Sequence, residues 1–186
     1  MAKFIGLSGS LRKGSYNTAL LRAAAELMPD GSELSVRTIQ GIPLYDADVE
    51  SADGIPATVV DLKEAIATSD GLLIATPEFN HSIPGVTKNA IDWLTRPPAD
   101  IKRVFGGKPI ALIGATPGEF GTILGQNEWL PILRCLGTRP WFGERLLVSH
   151  APTLFDEGGH LTDEKTREQL RLFMHGFVRF TQTTAS

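Results

Sequence analysis

The chain is 186 residues long, enough for one domain with a sizeable core and short for two. Hydrophobic residues make up 42% and charged residues 21%, which argues against disorder, and a net charge of −3 argues against a nucleic-acid-binding surface. No apolar run approaches membrane-spanning length, the start lacks a signal-peptide pattern, and the single cysteine excludes an internal disulfide framework, a combination that fits a soluble protein in a reducing cytoplasm.

In chain order, KFIGLS (3–8) is a short apolar run bounded by glycine, a buried-strand pattern. Asn17 can cap a following helix that carries Leu20, Leu21, Ala24 and Leu27 on one side and stops at Pro29-Asp30-Gly31. ELSVRTI (33–39) alternates like a half-buried strand. The stretch 41–57 is a long connection rich in Gly, Pro and Asp, and its acidic YDADVES reads as a solvated loop able to cover a partner subunit. Helical spacing over 57–70 leads into GLLIAT, a second buried strand. After the loop PEFNHSIPG comes a helix from about Val86 to Leu94, a Pro-Pro break, and the third such strand, KPIALIGA. The stretch 118–137 reads as loop plus helix, with Pro131 blurring the helix start. RLLVS (145–149) is a strand, and 162–182 is an amphipathic helix that Asp163 and Glu164 help to start.

Strands alternating with helices imply parallel pairing through right-handed crossovers. Five strands in this length predict an α/β protein of three layers, one domain over 1–186, with a doubly wound sheet of order 2-1-3-4-5. In that plan ligands sit beyond the carboxyl ends of the strands, where the order reverses. The loops there are GSLRKGSYN, PEFNHSIPG and TPGEFG.

The first loop misses three standard motifs. Gly9 and Gly14 have the spacing of a nucleoside-triphosphate loop, but Ser15 stands where lysine belongs. The dinucleotide fingerprint is absent, and a hydrolase nucleophile elbow fails because Ser10 replaces its last glycine. What remains is Ser10, Arg12, Ser15, Asn17 and Thr18 around a turn that opens a helix. Hydroxyls, an amide, N–H groups and a helix N-terminus suit a terminal phosphate monoester. The same residues also read as turn chemistry with a cap.

GSLRKGSYN together with TPEFNHSIPGVTKNAIDWL resembles the NAD(P)H-dependent FMN reductases, and within them the bacterial quinone and chromate reductases of flavodoxin-like fold. The resemblance runs from residue 3 to about 150 and more loosely through the last helix. It implies that Ser10, Arg12, Ser15, Tyr16 and Asn17 hold the FMN phosphate. Pro77, Glu78, Phe79 and Asn80 then run beside the isoalloxazine ring, and Thr116 and Gly118 approach the flavin from the third loop. It also implies NADPH or NADH as hydride donor and a ping-pong passage of electrons to a quinone-like acceptor, with chromate, azo and nitro compounds as further candidates. Assembly as a homodimer or homotetramer is implied as well. The rivals are a reductase releasing free reduced FMN to a monooxygenase and a non-enzymatic flavodoxin-like electron carrier. Two positions depart from the family pattern: Phe79 where tyrosine is frequent, and His81 where tyrosine follows the asparagine.

His81 admits two readings, a proton donor to the reduced acceptor or an exposed histidine at the pocket mouth. The second is simpler, because hydride transfer to flavin needs no protein acid. No acid–base pair is required, and no catalytic side chain is assigned. His150, His160 and His175 lack ligand spacing, so no metal site is expected. Cys135 lies in a Leu-rich pattern and reads as core. Lys88, Asn89 and Asp92 read as surface and capping residues, and Trp93, Trp129 and Trp141 as core or interface aromatics.

Overall fold

The computed structural model describes residues 1–183; the last three residues of the expected 1–186 domain lie outside the described residues. Six strands form one parallel sheet: β1 (Ala2–Ser8), β2 (Ser32–Thr38), β3 (Gly71–Ala75), β4 (Pro109–Ala115), β5 (Arg139–Pro140) and β6 (Leu146–Val148). The order is β2-β1-β3-β4-β5, with β6 also paired to β4. The expected five-strand order holds, and the fifth position is shared by two short pieces. β5 pairs with Pro109–Ile110 and β6 with Ile113–Ala115. Pro140 has no N–H to continue a ladder, and residues 141–145 leave the sheet before β6 rejoins it.

The described residues form seven α-helices, α1 (Tyr16–Glu26), α2 (Ala47–Asp53), α3 (Ala57–Ala67), α4 (Gly85–Leu94), α5 (Ile101–Phe105), α6 (Ile123–Cys135) and α7 (Glu164–Gln182), and all but α2 pack on the sheet. Strand side chains alternate between two cores. Phe4, Leu73, Ala75, Ala111 and Ile113 face α1 and α7, whereas Ile5, Leu72, Ile74 and Ile110 face α3, α4, α5 and α6. On the first face Phe4 meets Phe177 edge-on at 5.6 Å, and Trp141 packs on Phe173 at 4.7 Å. On the second, Trp93 and Trp129 are fully buried. Each such side chain removes enough apolar surface from water to contribute about 1.5–3 kcal/mol.

Several local expectations change. Ser15, not Asn17, caps α1, its Oγ accepting from Thr18 N at 3.3 Å. Asn17 lies inside the helix. Pro131 sits within α6 on its exposed side, so the helix starts eight residues earlier, at Ile123. Cys135 is exposed rather than packed in the core, because the turn to Leu136 carries the buried position. The Pro-Pro break holds a short turn of 3-10 helix and α5.

The acidic connection is no plain loop. Asp46 caps α2, accepting from Asp48 N at 2.8 Å. Asn89 donates to Pro43 O and accepts from Tyr45 N, both at 2.8 Å, and Trp93 Nε1 donates to the same Pro43 oxygen at 2.9 Å. Arg96 Nε reaches both Glu50 oxygens at 2.8 and 3.1 Å. These ties hold an exposed, largely polar segment against α4.

Candidate functional site

The loops after β1, β3 and β4 meet at one end of the sheet. Gly9 fixes the first against the second: its N–H donates to Ala75 O at 2.9 Å, and its carbonyl accepts from the buried Thr87 hydroxyl at 2.7 Å. A Cβ on Gly9 would lie 2.8 Å from Thr87 Oγ1 and 3.0 Å from Pro77 Cδ, so only glycine fits this approach.

Asn17 and Thr18 build the loop from within. The Asn17 amide donates to Ala115 O at 2.9 Å and accepts from Ala115 N at 3.0 Å, joining α1 to the end of β4. Thr18 Oγ1 shares a 2.7 Å hydrogen bond with Ser8 Oγ, and both hydroxyls are buried. Their side chains are thus engaged inside the fold. An anion is left the Ser10 hydroxyl, the exposed Arg12 guanidinium and the first N–H groups of α1, at Tyr16 and Asn17, which have no helical partner.

Two clefts flank this loop: one of about 270 Å³ lined by Ser10, Arg12, Lys13, Arg22 and Gln40 without a carboxylate, and one of about 340 Å³ at the helix start itself, lined by Lys13, Ser15, Tyr16 and Arg22 together with Asp156 and Glu157. The first turn of α1 itself lacks an acidic residue. Hydroxyls, cations and the N–H groups of a helix N-terminus match the donor set of a phosphate monoester, with Asp156 and Glu157 bordering the side of the loop where Ser15 and Tyr16 lie. Arg22 was not singled out by sequence reasoning. It could have been, since it follows Ser15 and Thr18 at helical spacing on the same face.

The second loop is rigid at its root and open at its tip. Pro77 is buried, and its carbonyl accepts from Thr76 Oγ1 at 3.0 Å. Glu78 turns its carboxylate to the start of α6, where Oε2 accepts from Gly125 N at 2.8 Å. Thr122, the residue before α6, provides no side-chain cap, so Glu78 does this from another loop. Phe79 is 61% exposed, and Asn80 is exposed beside it.

The third loop is tied down beyond β6. Thr116 O accepts from Ala151 N at 3.0 Å, Gly118 O from His150 N at 3.1 Å, and Gly118 N donates to Thr116 Oγ1 at 3.3 Å. This loop presents Phe120, 67% exposed, which sequence reasoning passed over; an aromatic between glycines in a site loop was the available signal. Among the described residues no group of three or more His, Cys, Asp or Glu could hold a metal, and no helix is long and apolar enough to cross a membrane.

A doubly wound parallel sheet of order 2-1-3-4-5, with the loops after β1 and β3 meeting where the order reverses, defines a protein of the flavodoxin-like class. Comparison with known proteins is specific. Residues 2–153 match the family model for NADPH-dependent FMN reductase, and the chain belongs to that oxidoreductase family, whose work uses FMN and a nicotinamide donor. It is 44% identical to an NAD(P)H-dependent FMN reductase of Pseudomonas aeruginosa, over 91% of this chain and 89% of that one. It is 38% identical to a 2-hydroxy-1,4-benzoquinone reductase of a Burkholderia species, over 91% of each. FerB, a flavoenzyme NAD(P)H:acceptor oxidoreductase from Paracoccus denitrificans, superposes with a TM-score of 0.86 at 35% identity, covering 98% of each chain.

Proposed function

We propose that this chain is a single FMN-binding domain that passes electrons from NAD(P)H to quinones by a ping-pong mechanism. The observation that carries the reading is the division of the site. A basic loop carrying Ser10, Arg12 and Lys13 leads into α1 at one side, and an exposed aromatic, Phe79, lies at the other, on the loop after β3. Bound FMN supplies the redox chemistry, accepting a hydride from the nicotinamide and returning it to the acceptor. The chain supplies an anchor through Ser10, Arg12, Ser15 and the α1 N-terminus. Pro77, Glu78, Phe79, Asn80, Thr116 and Gly118 border the ring. Asn17 and Thr18 act by shaping the loop.

One shared face for two flat substrates means that each must leave before the other enters. Chromate, azo and nitro compounds are further acceptors on this reading. Assembly as a homodimer or homotetramer and a cytoplasmic setting complete it.

The test begins with the absorption spectrum of the purified protein and NAD(P)H oxidation with and without added FMN. Double-reciprocal plots against a benzoquinone should be parallel, and high quinone should compete with NAD(P)H. Intersecting plots would overturn the shared face. A stoichiometric yield of free reduced FMN would reassign the protein as a flavin supplier.

A further inference from the structure

The loop after β3 closes in a turn, Phe79-Asn80-His81-Ser82, held by two reciprocal 3.0 Å backbone hydrogen bonds between Phe79 and Ser82. Both central residues have positive φ, 52° at Asn80 and 62° at His81. Turns of this hand favour Asn followed by Gly. Asparagine suits its place, but histidine occupies the position where glycine is least strained. Histidine enters this left-handed region more readily than most side chains, so the turn carries an imidazole at its tip.

The imidazole has a carboxylate close by. His81 Nδ1 lies 3.6 Å from Glu78 Oε1, while the other Glu78 oxygen accepts from Gly125 N at 2.8 Å. The Glu78 side chain is 14% exposed and the His81 side chain 76%. A carboxylate fixed to the start of α6 therefore lies within ion-pair distance of one edge of a solvent-facing ring. Among the described residues Glu78 is the carboxylate within ion-pair reach of that ring. Nε2, on the opposite edge, has no hydrogen-bond partner among the described residues, and the same loop carries exposed Phe79. A carboxylate orienting an imidazole whose far nitrogen faces the reactant is a general-acid arrangement.

We propose that His81, oriented by Glu78, donates a proton to the acceptor oxygen in the oxidative half-reaction. This rests on the quinone-reductase reading above. Converting a quinone to a hydroquinone adds two electrons and two protons. A hydride brings the electron pair and one hydrogen. The other comes from His81: the Nε2–H bond breaks, an O–H bond forms on the quinone oxygen, and the N–H electron pair stays on a neutral imidazole. Water then returns the proton to the exposed ring. The earlier half-reaction, hydride transfer from nicotinamide, has no need of this acid.

The test compares benzoquinone with ferricyanide, an acceptor that takes electrons without protons, in stopped-flow reoxidation of the reduced holoenzyme. In His81→Asn, which suits the turn, the benzoquinone-to-ferricyanide rate ratio should fall about 100-fold, and added imidazole should restore part of it. Glu78→Gln should lower the same ratio about ten-fold. A binding readout accompanies it: the oxidised holoprotein should lose about ten-fold in affinity for 4-nitrophenolate in His81→Asn, with nitrobenzene unaffected. An unchanged rate ratio in His81→Asn overturns the proposal whatever the phenolate does. If the unaltered protein neither holds FMN nor oxidises NAD(P)H, the proposed function itself fails instead.

Discussion

Gly9 leaves no space for a side chain, and that fixes an expectation at the scale of one atom. In Gly9→Ala the new methyl would press on Thr87 Oγ1 and Pro77 Cδ, which lie 2.8 and 3.0 Å from its position. Relief requires moving the first loop off the second, with loss of the Thr87–Gly9 hydrogen bond. The expected cost is about 1–3 kcal/mol of stability, read by thermal or urea unfolding, together with weaker FMN binding. A variant as stable as the parent would mean that the two loops are not locked. Arg12 offers a sharper test of the anchor. A hydrogen bond to a charged group is worth about 1.5–3 kcal/mol, so Arg12→Ala should weaken FMN roughly ten- to a hundred-fold. Riboflavin, without the phosphate, should bind parent and variant alike. Fluorescence titration decides, and an equal loss for both ligands would place Arg12 elsewhere.

Between elements, a few side chains act as cross-members. Asn17 satisfies both backbone groups of Ala115 across 98 positions of sequence. Asn17→Ala would strand those buried groups at a cost of about 1–3 kcal/mol each, seen as a lowered melting temperature even without cofactor. The Arg96 guanidinium beside Glu50, more than any other neighbour, holds that carboxyl below its ordinary value of 4.5. A depressed folded value means the pair contributes stability above the unfolded carboxylate range and loses it as pH falls through the folded value. The melting-temperature gap between parent and Glu50→Gln should therefore be present at neutral pH and close as pH falls below 4.5. A gap that stayed constant into acid would remove Glu50 from this role. The strands and the large helices were legible because their apolar periodicity is local and uninterrupted, as in GLLIAT and 164–182. The cross-members were not. Asn17 reads as a cap because its partner lies on another strand, and Glu78 reads as a ring-loop residue because the helix it caps begins 45 residues later. The α2 helix was hidden too, since none of its residues is buried and no apolar stripe marks it. Cys135 misled for the opposite reason: apolar neighbours in sequence do not tell which side of the turn faces in.

For the whole molecule, several large apolar side chains remain in water: Leu44, Val49 and Val86 around the segment tied to α4, and Phe142 beyond β5. If subunits associate through the first group, Leu44→Glu should shift sedimentation toward the monomer, and Leu172→Glu, on the outer side of α7, should not. A parent that sediments as a monomer at all concentrations would set assembly aside. The divided fifth position of the sheet carries a different consequence. An unbroken outer strand would offer a row of free amides and carbonyls on which a second chain could polymerise. Here that row is cut into pieces of two and three residues, separated by Pro140 and the excursion at 141–145. The opposite outer strand, β2, bears Glu33 and Arg37 along its length. The interruption thus leaves no long open edge on that side for a second chain to extend.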